Sequence, residues 1–348
     1  MTTNQGYESP GIAGSGAIAT GLAAVSTMTG DTILLARSEA SAWRAEEKVV
    51  AACAKIEGAE PSRLRVTTDP KDLADCDIIV EAIVEEVAPK GELLATIAAA
   101  CPGSDLATTT SSLSIAAIAA AAGTDKLFAL HVFNPVPRMK LVEVCFPDGA
   151  AGSREKALAW CAAMGKTAVE VPDQAGFVVN RLLFPYLFDA VRMVERTGME
   201  AGEVDTCMKL GAGHPMGPLA LLDFVGLDVA EAIGDALYAD SEEAAHKPPG
   251  LMVEMVGEEK LGRKLVRAQA GAIAPRPAVD RLAHIGVHPQ KQEGLNWIGI
   301  VLPVGKLTCK QMRGLARIAQ DFGDGDIRLT VWQNLLISGV ADERVPLA

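Results

Sequence analysis

Over the first half of the chain, short runs of branched apolar residues alternate with longer stretches whose apolar positions recur at helical spacing. Thr32–Ala36, Asp77–Glu81, Asp105–Thr108 and Leu127–Leu130 read as buried parallel strands, and Glu39–Lys55 and Pro89–Ala100 as helices between them. Alternation of this kind predicts an α/β fold with a doubly wound parallel sheet over residues 1–175. From 176 to 268 no segment reads convincingly as a strand. Phe177, Leu182, Leu183, Tyr186, Leu187, Ala190, Val191 and Val194 keep a helical period there, and Gly198, Gly211-Ala212-Gly213 and Pro215-Met216-Gly217-Pro218 mark turns. This predicts an all-helical domain packed on the first. A third region, 275–348, opens on Pro275-Arg276-Pro277. Asn296–Val301 reads there as a strand, Thr308–Asp321 as a helix and Ile327–Gln333 as a second strand, which makes a small β-α-β module.

Composition narrows the class. The chain has 348 residues, more than one domain usually holds, and 49% are apolar, much of that alanine, as packed helices require. The longest alanine-rich run, Ser114–Ala122, is far short of the roughly 20 residues that span a bilayer. Met1–Pro10 has neither a basic region nor an apolar core, so a cytoplasmic protein without membrane contact is expected. Seven cysteines are scattered with no C-x-x-C pair; they read as reduced thiols, and no metal or iron-sulfur cluster is expected. The net charge of -12 argues against nucleic acid as a partner. An anionic cofactor could still bind through local donors.

Such donors are suggested by Gly14-Ser15-Gly16-Ala17-Ile18-Ala19, a G-x-G-x-x-A pattern ahead of a helix and a second strand. Gly14 would make the tight turn, Gly16 would let the backbone approach a pyrophosphate, and the small Ala19 would let helix and strand pack closely. Ser9-Pro10-Gly11 sits in the would-be first strand, so that strand is expected to be short and to start near Gly11. At the tip of the second strand, where an acid usually binds the ribose 2′-hydroxyl, stand Arg37 and Ser38. A cation and a hydroxyl suit a 2′-phosphate, which favours NADP(H); the alternative is NAD(H) with Arg37 facing solvent.

Leu130-His131-Val132-Phe133-Asn134-Pro135-Val136-Pro137-Arg138-Met139-Lys140-Leu141-Val142-Glu143-Val144 carries the chemistry. A histidine follows a buried strand, a Pro-rich turn returns the chain, and Glu143 comes twelve residues after His131. That spacing allows the carboxylate to hold one ring nitrogen while the other takes a hydroxyl proton.

This stretch resembles the signature of the 3-hydroxyacyl-CoA dehydrogenases, including 3-hydroxybutyryl-CoA dehydrogenase. Glu81-Ala82-Ile83-Val84-Glu85, Thr110-Ser111-Ser112-Leu113, Gly176-Phe177-Val178-Val179-Asn180-Arg181 and Lys209–Pro218 resemble the same family in order, over about residues 11–265. The resemblance implies a Rossmann-like domain (1–175) and a helical substrate and dimerisation domain (176–268). It implies an acyl-CoA substrate, a homodimer, and a place in fatty acid and butyrate metabolism. It makes His131 the general base and Glu143 its partner, places Ser111 on the substrate 3-oxygen and Asn180 on the thioester side, and puts Glu85 and Lys90 near the nicotinamide. Bland readings stand beside these: Ser111 or Asn180 as a helix cap, Glu85 and Lys90 as a solvated surface pair, His214 as a turn residue. The sequence departs from the family at the missing strand-tip acid, at Thr109 where asparagine is common, and after Leu261–Leu265.

Residues 275–348 resemble a different family, the ferredoxin-like half-domain of nitrite/sulfite reductases, through His288–Trp297, Val301–Gly305 and Arg328–Asn334. With Cys309 alone, this region cannot build a four-cysteine cluster. Two other functions stay open at this point: a 3-hydroxy-acid dehydrogenase that does not use CoA, and a non-catalytic redox or binding protein acting through the C-terminal module.

Overall fold

The computed structural model describes residues 6–260, 286–290, 292, 294–300, 308–329 and 335–347. The chain divides into two compact units, Met1–Arg267 and Ala268–Ala348. Residues 261–265, 275–277, 291, 293, 301–305 and 330–334, which fall in segments named above, lie outside the described residues.

The first unit opens with β1 (Pro10–Ala13), α1 (Ala17–Ser26), β2 (Thr32–Leu35), α2 (Glu39–Cys53), β3 (Leu64–Thr67), β4 (Ile78–Glu81), α3 (Val87–Ala100), β5 (Asp105–Thr108), α4 (Ile115–Ala122) and β6 (Leu127–Val132). β7 (Leu141–Cys145), α5 (Arg154–Ala163) and β8 (Thr167–Glu170) complete it. One eight-stranded sheet results, in the order β3-β2-β1-β4-β5-β6-β7-β8. It is parallel from β3 to β6, but β7 pairs antiparallel with β6 and β8 follows β7. The purely parallel expectation therefore holds for six strands. The Pro-rich turn reverses the chain after β6, and that reversal sets His131 directly opposite Glu143. β1 is short as expected, and Pro10 is its first residue, where the missing amide is tolerated.

Strand alternation separates two cores. Ile78, Val80, Phe128, Leu130, Val142 and Val144 pack with α1, α2 and α5 on one face. Ile79, Leu106, Leu127, Ala129 and Cys145 pack with Leu94 and Ile97 of α3 and Ile115 and Ile118 of α4 on the other. Stepping by two along each strand, the second face ends in polar residues: Glu81 after Ile79, Thr108 after Leu106, His131 after Ala129, and Glu143 before Cys145. All four are buried.

Five helices follow: α6 (Val179–Thr197), α7 (Ala201–Gly211), α8 (Pro218–Val225), α9 (Leu227–Ser241) and α10 (Gly250–Gly257). Phe184, Leu187, Phe188 and Val191 of α6 pack with Leu222, Leu227, Ala230, Leu237 and Met252. Among the described residues no helix is long and apolar enough to cross a membrane.

In the second unit, β9 (Gly286–Pro289), β10 (Leu295–Ile300), α11 (Cys309–Phe322), β11 (Ile327–Leu329) and β12 (Leu335–Ala341) form an antiparallel sheet in the order β11-β12-β10-β9 with one helix. Ala319, Ile337 and Val340 are its buried centre. The β-α-β reading thus captured one strand–helix–strand stretch but missed β9 and β12.

Candidate active site

A cavity of about 740 Å³ opens at the carboxyl ends of β1, β4, β5 and β6. Strand order reverses between β1 and β4, which is where open α/β sheets leave a crevice. His131, Ser111, Asn180, Glu85, Gly16 and Arg37 all line it. Val229 of α9 and Asn180 of α6 bring the helical part to its wall.

The phosphate end is built by the glycine turn. Gly14 has φ +143°, and a Cβ there would lie 2.4 Å from the Ala82 carbonyl oxygen and 3.2 Å from the Ala19 methyl. Ala19 is fully buried, so a larger residue would push α1 off β1. A Cβ on Gly16, by contrast, would meet nothing within 4 Å. Gly16 is the N-cap of α1 and no side chain caps that helix, so its first amides are left for an anion. These features fit a dinucleotide pyrophosphate.

Ser38 is used differently. Its side chain caps α2 in a reciprocal box with Ser41, and it is Ser41 that lines the cavity. Two cations absent from the sequence reading, Arg44 and Lys48, line the same wall. Their spacing from Ser41 along α2 was the available signal.

His131 is 6% exposed. Its Nδ1–H donates to Glu143 Oε2 at 2.8 Å, which leaves Nε2 as the acceptor nitrogen. The other oxygen of Glu143 accepts the amides of Val178 (3.0 Å) and Val179 (2.9 Å) at the start of α6. Burial pushes the Glu143 carboxyl up, but the His131 hydrogen bond and the two amides outweigh it and hold it below the usual carboxylate range. The turn into α6 uses Gly176 (φ 76°) and Phe177 (φ 45°). Phe177 is a bulky residue in a left-handed conformation, a strain of about 1–3 kcal/mol. It is held by its burial against the His131 ring, 5.6 Å between centroids, and by Gln174, whose side chain donates to its carbonyl.

Glu85 organises the Thr110–Ser112 loop. Its Oε1 accepts from the Thr110 hydroxyl (2.8 Å), the Ser111 amide (2.7 Å) and hydroxyl (3.2 Å), and the Ser112 amide (3.0 Å) and hydroxyl (3.2 Å). Its Oε2 lies 3.4 Å from Lys90 Nζ. Burial raises this carboxyl, while Lys90 and the loop donors together hold it below its ordinary value. Lys90 does not line the cavity. It is fully buried, 2.8 Å from Glu81 Oε1, and Glu81 also accepts from Thr108 at 2.7 Å. The solvated-pair reading is therefore wrong for Lys90, which sits behind Glu85. Nor does Ser111 cap a helix; Ser114 caps α4. Asn180 lies inside α6 and is no cap. His214 faces Tyr186, 3.2 Å from Nδ1 to the phenol oxygen, away from this cavity.

A nucleotide turn at one end and a carboxylate-held histidine at the other define an NAD-binding oxidoreductase built on a dinucleotide-binding fold. Residues 10–174 match the 3-hydroxyacyl-CoA dehydrogenase NAD binding domain, and residues 176–270 the C-terminal domain of the same family. The chain belongs to the 3-hydroxyacyl-CoA dehydrogenase family. Residues 288–347 match the nitrite/sulfite reductase ferredoxin-like half domain. A 3-hydroxybutyryl-CoA dehydrogenase of Mycobacterium tuberculosis is 36% identical over 271 residues, 73% of this chain and 94% of that one. The human mitochondrial hydroxyacyl-coenzyme A dehydrogenase is 38% identical over 274 residues, 73% of this chain and 87% of that one. The solved (S)-3-hydroxybutyryl-CoA dehydrogenase PaaH1 of Ralstonia eutropha shares the fold with a TM-score of 0.70 at 31% identity, covering 74% of this chain and 96% of that one.

Lys90 is fully buried and is the shared ion-pair partner of Glu81 and Glu85. Lys90→Met should therefore cost about 3–5 kcal/mol in urea unfolding, and Glu81→Gln in the same chain should restore part of it. Glu85 and Glu143 both have folded values below 4.5, their ordinary value. The unfolded chain then binds the proton first, so their contribution is complete well above pH 4.5 and is lost as pH falls below it. Unfolding midpoints measured from pH 7 to pH 3 should stay level and then drop, with a smaller drop in Glu85→Gln.

Proposed function

We propose that this protein reversibly oxidises short-chain 3-hydroxyacyl-CoA to 3-oxoacyl-CoA, with 3-hydroxybutyryl-CoA and acetoacetyl-CoA as the working pair. The observation that carries this reading is the His131–Glu143 pair, with Nε2 left as a proton acceptor in a cavity that Ser111 and Asn180 also line. A nicotinamide bound along this cavity would supply the hydride acceptor, or donor, for the substrate 3-carbon. His131 Nε2 takes the hydroxyl proton during oxidation and gives it back during reduction. Glu143 stays ionised, fixes the ring tautomer and stabilises the imidazolium. The Ser111 hydroxyl turns its proton to the substrate 3-oxygen. Glu85 tolerates that loss, because four other donors and Lys90 remain on it. Asn180 positions the thioester side. Residues 1–175 hold the nucleotide, residues 176–268 close the substrate side and pair two copies, and the module at 275–348 takes no part in this chemistry.

Arg37 on the cavity wall, with no acid at the strand tip, supports NADP(H) as the favoured cofactor. Ser38 contributes by capping α2.

His131→Ala should cut turnover by at least about a hundredfold while folding and cofactor binding persist. Near wild-type turnover in that variant would end this mechanism. Free acetoacetate should not be reduced where acetoacetyl-CoA is; equal rates would favour a hydroxy-acid dehydrogenase indifferent to CoA. NADPH should serve at least as well as NADH, and Arg37→Ala should raise KM for NADPH more than for NADH. An enzyme that ignores NADPH would show the 2′-phosphate reading to be wrong.

A further inference from the structure

We propose that Arg44 and Lys48 on α2 join Arg37 in a cationic rim that binds a phosphomonoester on the ribose of an adenosine nucleotide. The inference rests on the dinucleotide reading above and extends it to residues outside the strand tip. Ser41, Arg44 and Lys48 stand at i, i+3 and i+7 along α2, one stripe of the helix, and all three line the cavity together with Arg37. The stripe runs roughly 10 Å along the axis at about 1.5 Å per residue.

Charge makes this stripe unusual. The chain carries a net -12, yet among the described residues no carboxylate lines the cavity beside these three cations. Among the described residues the one carboxylate on the cavity wall is Glu85, which is occupied by Lys90 and the Thr110–Ser112 loop. Among the described residues Arg37, Arg44 and Lys48 form no ion pair. Glu39, the acid in the first turn of α2, accepts instead from the Thr68 hydroxyl. Arg44 and Lys48 are like charges at i and i+4; Glu47, three residues after Arg44, forms no ion pair with either among the described residues, so their repulsion is left for an incoming anion to relieve. The pyrophosphate has its own seat at the uncapped start of α1 and does not need this rim. What remains is a further phosphate. A phosphomonoester carries close to two negative charges at neutral pH and accepts bidentate hydrogen bonds from guanidinium groups.

Two nucleotides of this reaction carry such a group, one on the ribose 2′-oxygen of NADP(H) and one on the ribose 3′-oxygen of CoA. Calorimetric titration of the full chain with ADP, 2′,5′-ADP and 3′,5′-ADP separates them. One of the bisphosphates should bind at least about tenfold tighter than ADP, as a charge-assisted contact requires. Arg44→Gln with Lys48→Gln should erase most of that margin, leave the affinity for ADP unchanged and flatten its salt dependence. Arg44→Lys with Lys48→Arg should keep most of the margin, which shows that charge rather than folding is read. A 2′,5′-ADP preference assigns the rim to the cofactor. A 3′,5′-ADP preference assigns it to the acyl-CoA and at the same time removes the 2′-phosphate reading. If neither bisphosphate exceeds ADP, or if the double glutamine variant keeps the margin, the rim is not a phosphate site. With no 3′,5′-ADP preference, an NADPH bias lost in Arg37→Ala but kept in the double glutamine variant would overturn this inference and leave the cofactor reading standing.

Discussion

Glu143 is the joint on which the site depends. One oxygen holds the ring of His131 and the other gathers the amides of Val178 and Val179, the N-cap and first residue of α6, so a single buried carboxylate fixes the histidine and anchors the helical part at the same point. A buried carboxylate with unfilled lone pairs would be costly. Here every approach is a donor, and the net effect is to keep it ionised. The strained Phe177 turn is the counterpart of that arrangement, because it aims the Val178 and Val179 amides at the carboxylate while closing over the imidazole.

The same logic repeats one strand over. On the second face of the sheet the apolar alternation gives way at the carboxyl ends to Glu81, Thr108, His131 and Glu143, and each charge there has a partner. Lys90 from α3 pairs with both Glu81 and Glu85, and Glu85 in turn shapes the loop that carries Ser111. The sheet supplies rigidity, the polar row supplies chemistry, and the helices on that face bring the counter-charges. Two buried networks, one on each side of the cavity, thus hold His131 and Ser111 in place before any ligand arrives.

Much of this was legible beforehand. Runs such as Asp77–Glu81 and Leu127–Leu130 have few other physical solutions than buried strands, and twelve residues around a Pro-rich turn suit an antiparallel return that sets Glu143 opposite His131. The edge strands β3 and β8 were missed because Leu64–Thr67 and Thr167–Glu170 are mostly half-buried or exposed and lack a sustained apolar run. Lys90 was misplaced because lysine is seldom fully buried, and nothing local in the sequence shows two carboxylates converging on it from β4 and the loop beyond. Ser38 was expected at the cofactor phosphate, but a serine just before a helix also caps it, and here its hydroxyl closes a reciprocal box with Ser41 instead. β9 went unseen because Gly286-Val287-His288-Pro289 has no apolar run, and β12 because Ser338 and Gly339 interrupt the apolar pattern of Leu335–Ala341.

The orientation of His131 is the point from which the mechanism follows, and its tautomer can be observed directly. Long-range proton–nitrogen NMR of the full chain at pH 8, with His131 assigned among the five histidines by comparison with His131→Gln, reports which ring nitrogen carries the proton. The structure predicts a protonated Nδ1 and a bare Nε2 in the wild type, and loss of that single form in Glu143→Ala. A proton found on Nε2, or a tautomer mixture that ignores the Glu143 substitution, would contradict it.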